Sequence, residues 1–161
     1  MASSDDSMRH LDRSVYAARG RARVVQGDLF AAPAFVIPVK TQGRSYGQLS
    51  QQLVARGATI PALTLTEAKA FTHHDHLVVC VAFWDDESPY TDALVLRCTR
   101  NAVLRAAAAG AVSLAMPLLG EKDKTAFLAA MERGVELALD HLDEQDRPGP
   151  EVCFVTDRVL A

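Results

Sequence analysis

The chain is short of the features that mark several broad classes of function. It carries 17 lysines and arginines against 20 aspartates and glutamates, a formal net charge of −3 at pH 7. No surplus of positive charge is available to neutralise a phosphate backbone, so general nucleic-acid binding is not expected, although a local basic patch is compatible with this balance. No apolar run approaches the roughly 20 residues needed to cross a bilayer. The N-terminus lacks the apolar centre of a secretory signal, so no membrane association is expected. There are three cysteines, Cys80, Cys98 and Cys153, with no C-x-x-C spacing, and each lies inside an apolar pattern. They read as buried reduced thiols, which leads us to expect a cytoplasmic protein. A Ser-His-Asp spacing, a G-x-S-x-G elbow and a P-loop are all absent, so these signatures assign no enzyme class. No internal repeat or linker breaks the 161 residues, a length suited to one domain with a real core.

What is present is a succession of short apolar runs and longer periodic segments. The run V-S-L-A-M at residues 112–116 is too short for a helix and lies between two long helical patterns, so it reads as a fully buried strand. It leads through Leu119 and Gly120 straight towards a helix. That arrangement puts free backbone N–H groups at the carboxyl end of a sheet, where open α/β folds bind anions and nucleotides.

Earlier in the chain, residues 1–20 form a polar tail or a short helix carrying Leu11, Val15 and Ala18. Strands are expected over residues 21–25, 34–39 and 77–83, and a last one over 152–155. Ser45 and Gln48 have capping-box spacing for a helix that stops at Gly57. Residues 59–76 are ambiguous, with a possible strand over 63–65 and one or two helical turns over 66–71. Ser88 as N-cap and Pro89 at the first position start a helix that ends at Gly110. Val95, Cys98, Ala102 and Ala106 form its core stripe, and Arg97, Asn101 and Arg105 its solvated face. Leu128, Met131, Val135, Ala138 and Leu142 mark the buried side of a final helix, with Glu132, Glu136 and Asp140 on its wet side. The resulting order, β-β-α-β-α-β-α-β, is that of a three-layer α/β/α sandwich with a mixed, mostly parallel sheet. We take residues 21–161 as its single domain.

The segment V-V-Q-G-D-L-F at residues 24–30 resembles the opening of a macro domain. It is most similar to the branch containing terminal ADP-ribose protein glycohydrolase and bacterial DNA ADP-ribosyl glycohydrolases. A-V-S-L-A-M-P-L-L-G at residues 111–120 is similar to that branch's late strand and phosphate loop, in the expected order along the chain. The resemblance implies binding of ADP-ribose or a related nucleotide at the carboxyl ends of the strands. Asp28 would accept the adenine amino group and the Leu29 backbone would support the purine. Gly120, Lys122 and the neighbouring amides would carry the diphosphate. Lys40, Gly43, Ser45 and Gly47 would line the loop after the second strand. Asp123 corresponds to an acidic residue that the glycohydrolases use in catalysis.

The residues themselves also allow simpler roles. Asp28 suits an Asx turn that caps local N–H groups, and Asp123 suits the N-cap of the last helix. Lys40 and Arg44 are either charged phosphate donors or ordinary surface residues. His73, His74, Asp75 and His76 resemble a metal cluster, but adjacent histidines diverge and no further ligand group has a clear spacing, so a solvated loop is the better reading. Neither a metal nor a cofactor is expected.

The chain departs from the family pattern at three places. The compact glycine cluster after the second strand is missing. No lysine occupies the zone of residues 83–86, where the closest glycohydrolases carry their nucleophile. Glu121 stands where a phosphate is expected. Nucleotide binding without catalysis is therefore the expected function. The alternatives are an active ADP-ribosyl glycohydrolase that uses Asp123, and a degenerate fold serving protein interaction or regulation.

Overall fold

The computed structural model describes residues 22–119 and 126–156. The expectations for residues 1–20 and for Gly120, Glu121, Lys122 and Asp123 lie outside these. Six strands form one sheet: β1 (Ala22–Gln26), β2 (Ala34–Lys40), β3 (Ala68–His73), β4 (His76–Trp84), β5 (Ser113–Pro117) and β6 (Glu151–Thr156). Their spatial order is β1-β6-β5-β2-β4-β3. All neighbours are parallel except β3, which runs antiparallel to β4. Helices α1 (Gln48–Ala55), α2 (Asp92–Ala108) and α3 (Leu128–Glu144) complete the mixed α/β architecture.

Strand alternation divides the core into two layers. Val36, Val79, Val81, Leu114, Met116 and Phe154 face α2 and α3, where Val95, Cys98, Ala102, Met131, Val135 and Leu142 meet them. Phe35, Ile37, Val39, Val78, Cys80 and Ala115 face the other side and pack with Leu53 of α1 and with Ile60 and Leu63. Burying each such side chain contributes about 1.5–3 kcal/mol. The expected core stripes of α2 and α3 are therefore the ones that fold the sandwich. All three cysteines are buried thiols, as their apolar settings predict.

Several local expectations are corrected. Residues 63–65 form no strand; Leu63 reaches the core from a loop. The predicted turns of helix over 66–71 are replaced by β3, an edge strand whose half-exposed alternation leaves only a weak sequence signal. Its pairing with β4 closes at His73 opposite His76. His74 (φ 49°) and Asp75 (φ 67°) take left-handed conformations as the two residues of that hairpin turn. The histidine run is thus a hairpin tip. Among the described residues no group of three His, Cys, Asp or Glu side chains is placed to hold a metal.

Helix starts also move. Gly47, not Ser45, is the N-cap of α1, and Ser50 ties down that end from within, its Oγ accepting from Tyr46 N–H at 2.7 Å. Thr91, not Ser88, caps α2, accepting from Leu94 N–H at 3.2 Å. Ser88 is held elsewhere, donating its N–H and its hydroxyl to the Asp85 carboxylate at 2.6 and 2.8 Å. Phe127 occupies the N-cap position of α3. Val112 stands outside β5 and is 85% exposed. Asn101 and Arg105, expected to be merely solvated, donate to the carbonyls of Thr66 and Ala68 at 2.8 and 3.1 Å and thereby pin the start of β3 onto α2.

Helix ends follow the sequence signals more closely. Gly57 (φ 97°) and Gly110 (φ 87°) each close a helix with paired bonds back into its last turn.

Candidate functional site

Because β1, β6, β5, β2 and β4 are parallel, the chain leaves all five at the same edge of the sheet. From β2 it moves outward to β4, and from β5 it moves the opposite way to β6. The crevice between the carboxyl ends of β2 and β5 is therefore the topological switch point, the usual ligand position in an open α/β sheet. The sequence opens that crevice. Thr41 N–H donates to Trp84 O on the β4 side and Lys40 N–H to Arg44 O on the other, so alternation turns Pro38 towards β5. Proline has no N–H to give a ladder, and the β2–β5 pairing is confined to Phe35 opposite Ala115.

Of the predicted site residues, Asp28, Leu29, Lys40, Gly43, Ser45 and Gly47 are described, and they lie in or just after strand ends. Asp28 follows β1 and is exposed. Its Oδ1 accepts from Phe30 N–H at 3.0 Å and caps a short 3-10 turn, Leu29–Ala31. The Asx-turn role is therefore realised. The Leu29 side chain is a core residue, which leaves only its backbone for a ligand.

Lys40 ends β2 beside Arg44 and Asp86. Lys40 Nζ lies 2.7 Å from Asp86 Oδ1, and Arg44 Nη1 lies 2.9 Å from Asp86 Oδ2. Arg44 is aimed by Thr41, donating through Nε to its carbonyl (2.8 Å) and through Nη2 to its hydroxyl (3.1 Å). Hydrogen bonds from Lys40 and then from Arg44 hold the Asp86 carboxyl below its usual pKa. Asp85 is likewise lowered, first by the N–H of Ser88, and it shapes the loop that presents Asp86.

Gly43 (φ 73°) forms the turn between Lys40 and Arg44 and packs on residues 60–62; a Cβ there would meet Ile60 O at 3.2 Å. Gly47 (φ 86°) is exposed, with open space around it. Ser45 is exposed as well.

Sequence reasoning missed two parts of this edge. One is the Thr41–Arg44–Asp86 network, which joins residues about 40 positions apart. The other is a row of aromatic rings. Tyr46 and Trp84 are 4.6 Å apart by centroid, Trp84 stacks on Tyr90 at 5.6 Å, and Tyr90 meets Phe127 at 5.0 Å. The row runs from the loop after β2, past the end of β4, to the start of α3. Tyr90 Oη is buried with no hydrogen-bond partner among the described residues, and burial raises its pKa. The lone tryptophan at the end of the most apolar strand was the one available signal. A separate groove of about 410 Å³, lined by Glu67, Asn101, Arg105, His141 and Arg147 among others, lies on the β3–α2 side.

This edge can accept hydrogen bonds from an exocyclic amine at Asp28 and offer fixed cations at Lys40 and Arg44. No helix of the described residues is long and apolar enough to cross a membrane.

No protein-family model and no curated protein matches the sequence. Solved structures do match by shape. The macrodomain of Thermus aquaticus DarG superposes with a TM-score of 0.57 at 16% identity, covering 85% of this chain and 98% of that one. The Trypanosoma brucei macrodomain in complex with ADP-ribose gives a TM-score of 0.64 at 12% identity, covering 88% of this chain and 66% of that one. The GDAP2 macro domain gives 0.64 at 16% identity, covering 88% and 79%. With its strand order, its switch-point crevice and these matches, the chain is a divergent example of the macrodomain fold.

Proposed function

We propose that this protein binds ADP-ribose or a related nucleotide diphosphate in the crevice between β2 and β5, and that residues 21–161 form the binding domain. The observation that carries the reading is the placement of Asp28, Lys40 and Arg44 on one edge of the sheet, around its switch point. The Trypanosoma brucei relative, which shares the fold, was solved with ADP-ribose bound, and this supports the reading. The exposed Asp28 carboxylate would accept from the adenine amino group with the lone pairs not used by Phe30 N–H. The diphosphate would lie across the crevice towards Gly120 and Lys122, where backbone amides and cations offset its charge. Gly47 and Ser45 would border the ribose side. A cytoplasmic location fits the three buried thiols.

We also propose that the site does not hydrolyse its ligand. Cleavage at an anomeric carbon needs a nucleophile or an activated water and a proton donor. Residues 83–86 carry no lysine, and the nearby Lys40 is paired with Asp86 at 2.7 Å. The degenerate interaction module is the second reading, and Asp86 already sitting on both cations favours it.

Calorimetric titration of ADP-ribose separates the two. Heat that saturates at micromolar ligand supports the binding site, and silence up to millimolar leaves the interaction module. ADP-ribosylated protein and ADP-ribosylated DNA should release no ADP-ribose in the presence of the protein. Turnover abolished by Asp123→Ala would make it a glycohydrolase.

A further inference from the structure

Lys40 and Arg44 form a two-point clamp at the carboxyl end of β2, and that clamp is closed on an anion from another part of the chain. The two oxygens of the Asp86 carboxylate each meet a different cation, at 2.7 and 2.9 Å. The cationic side chains are 22% and 37% exposed, whereas the Asp86 side chain above them is 61% exposed. Each cation also has an anchor other than Asp86. Arg44 is fixed by two bonds to Thr41, and Lys40 extends over the Tyr46 ring, its Nζ 5.6 Å from the ring centre. Asp86 is delivered by a loop braced separately through Asp85, which accepts from Glu87 N–H and Ser88.

We infer that Asp86 is a built-in occupant of an anion subsite, and that a phosphate group of the ligand takes the clamp by displacing it. This rests on the nucleotide reading of the crevice. Two oxygens of one phosphate satisfy the same pair of cations as two oxygens of one carboxylate. A diphosphate group carries at least two negative charges against the one of a carboxylate, and the exposed ion pairs it has to displace are weak. Asp86 thereby sets a threshold: diphosphate-bearing ligands open the clamp, and singly charged carboxylates do not. It also lowers the affinity of the site for every anion.

The test uses inorganic pyrophosphate as the probe, titrated calorimetrically at low salt into the full chain and into Asp86→Asn. Exposed pairs each weigh about 1.4- to 5-fold, so releasing both cations should tighten pyrophosphate by roughly 2- to 30-fold. The gain should shrink as salt is raised through about 0.1 M, and it should fall to the share of the Arg44 pair alone, about 1.4- to 5-fold, when Lys40→Ala is added. Glu87→Gln removes the same charge next door without touching the clamp and should give no gain. Weaker or unchanged pyrophosphate binding by Asp86→Asn would overturn the inference and make Asp86 a brace for the two cations. An equal gain in Glu87→Gln, or an undiminished gain with Lys40→Ala, would overturn it too, as a mere effect of net charge. A clamp that behaves as expected towards pyrophosphate in a protein that ignores ADP-ribose would uphold the inference and sink the nucleotide reading.

Discussion

Asp28 has two tasks that a pair of substitutions can separate. In the structure its Oδ1 accepts from Phe30 N–H at 3.0 Å and caps the turn that follows β1, while the residue stays exposed. Removing the cap with Asp28→Ala should cost about 0.5–2 kcal/mol of stability, the range for an N-cap lost to alanine. Asp28→Asn keeps an acceptor oxygen for Phe30 and should leave the melting temperature nearly unchanged. The two variants diverge in stability but should agree in binding. In Asp28→Asn the side-chain oxygen is committed to the turn and the remaining atom is an NH2, which faces the adenine amino group as donor against donor. A lost charged hydrogen bond is worth about 1.5–3 kcal/mol, so both variants should weaken ADP-ribose by roughly 10- to 150-fold. Thermal melts and calorimetry on the same samples give both readouts. Asp28→Asn binding ADP-ribose as tightly as the parent chain would show that Asp28 is a turn residue only, and the orientation proposed for the nucleotide would be wrong.

Leu114, 1% exposed in the middle of β5, should cost about 2–5 kcal/mol as Leu114→Ala; a denaturant-melt loss below about half a kcal/mol would mean the strand is not central. Gly134 brings α3 onto α2 so closely that a Cβ would meet Leu96 O at 2.6 Å and Thr99 Cβ at 2.9 Å. Gly134→Ala should therefore destabilise by about 1–3 kcal/mol despite alanine's better helix propensity, and a higher melting temperature would refute the tight crossing. Burial pushes the Cys80 and Cys98 thiols up to about 12, from an ordinary value of 9.0. The unfolded chain thus releases these protons first: stability is intact below pH 9 and falls as pH rises from 9 towards 12. Urea midpoints at pH 8 and pH 10 should show that loss, and a disulfide reagent should find both thiols inert at pH 8 until the protein unfolds.

The layers of the sandwich were legible because burial imposes a period. The apolar run of β4, the Val95-Cys98-Ala102-Ala106 stripe and the glycines at 57 and 110 say the same thing locally and globally, so strands, helices and helix ends could be read without coordinates. The positions of Asp28 and Lys40 were also within reach, since one follows a strand and the other ends one.

Edges were less legible. β3 has one partner and a half-exposed face, so its A-K-A-F-T-H pattern resembles a loop or a helical turn until β4 supplies the hydrogen bonds. Helix starts misled for a related reason: Ser45 and Ser88 have the right chemistry for caps, but Asp85 takes Ser88 into a turn, and Ser50 secures α1 from inside.

The sequence by itself determined the parallel strands and the two long helices, and the apolar stripes by which they meet. Only the tertiary structure decided that Asp86 lies against Lys40 and Arg44, and that Tyr46, Trp84, Tyr90 and Phe127 line up. Period and propensity act over a few residues. The meeting of side chains 40 or more positions apart depends on strand order and register, which emerge only when the whole sheet closes.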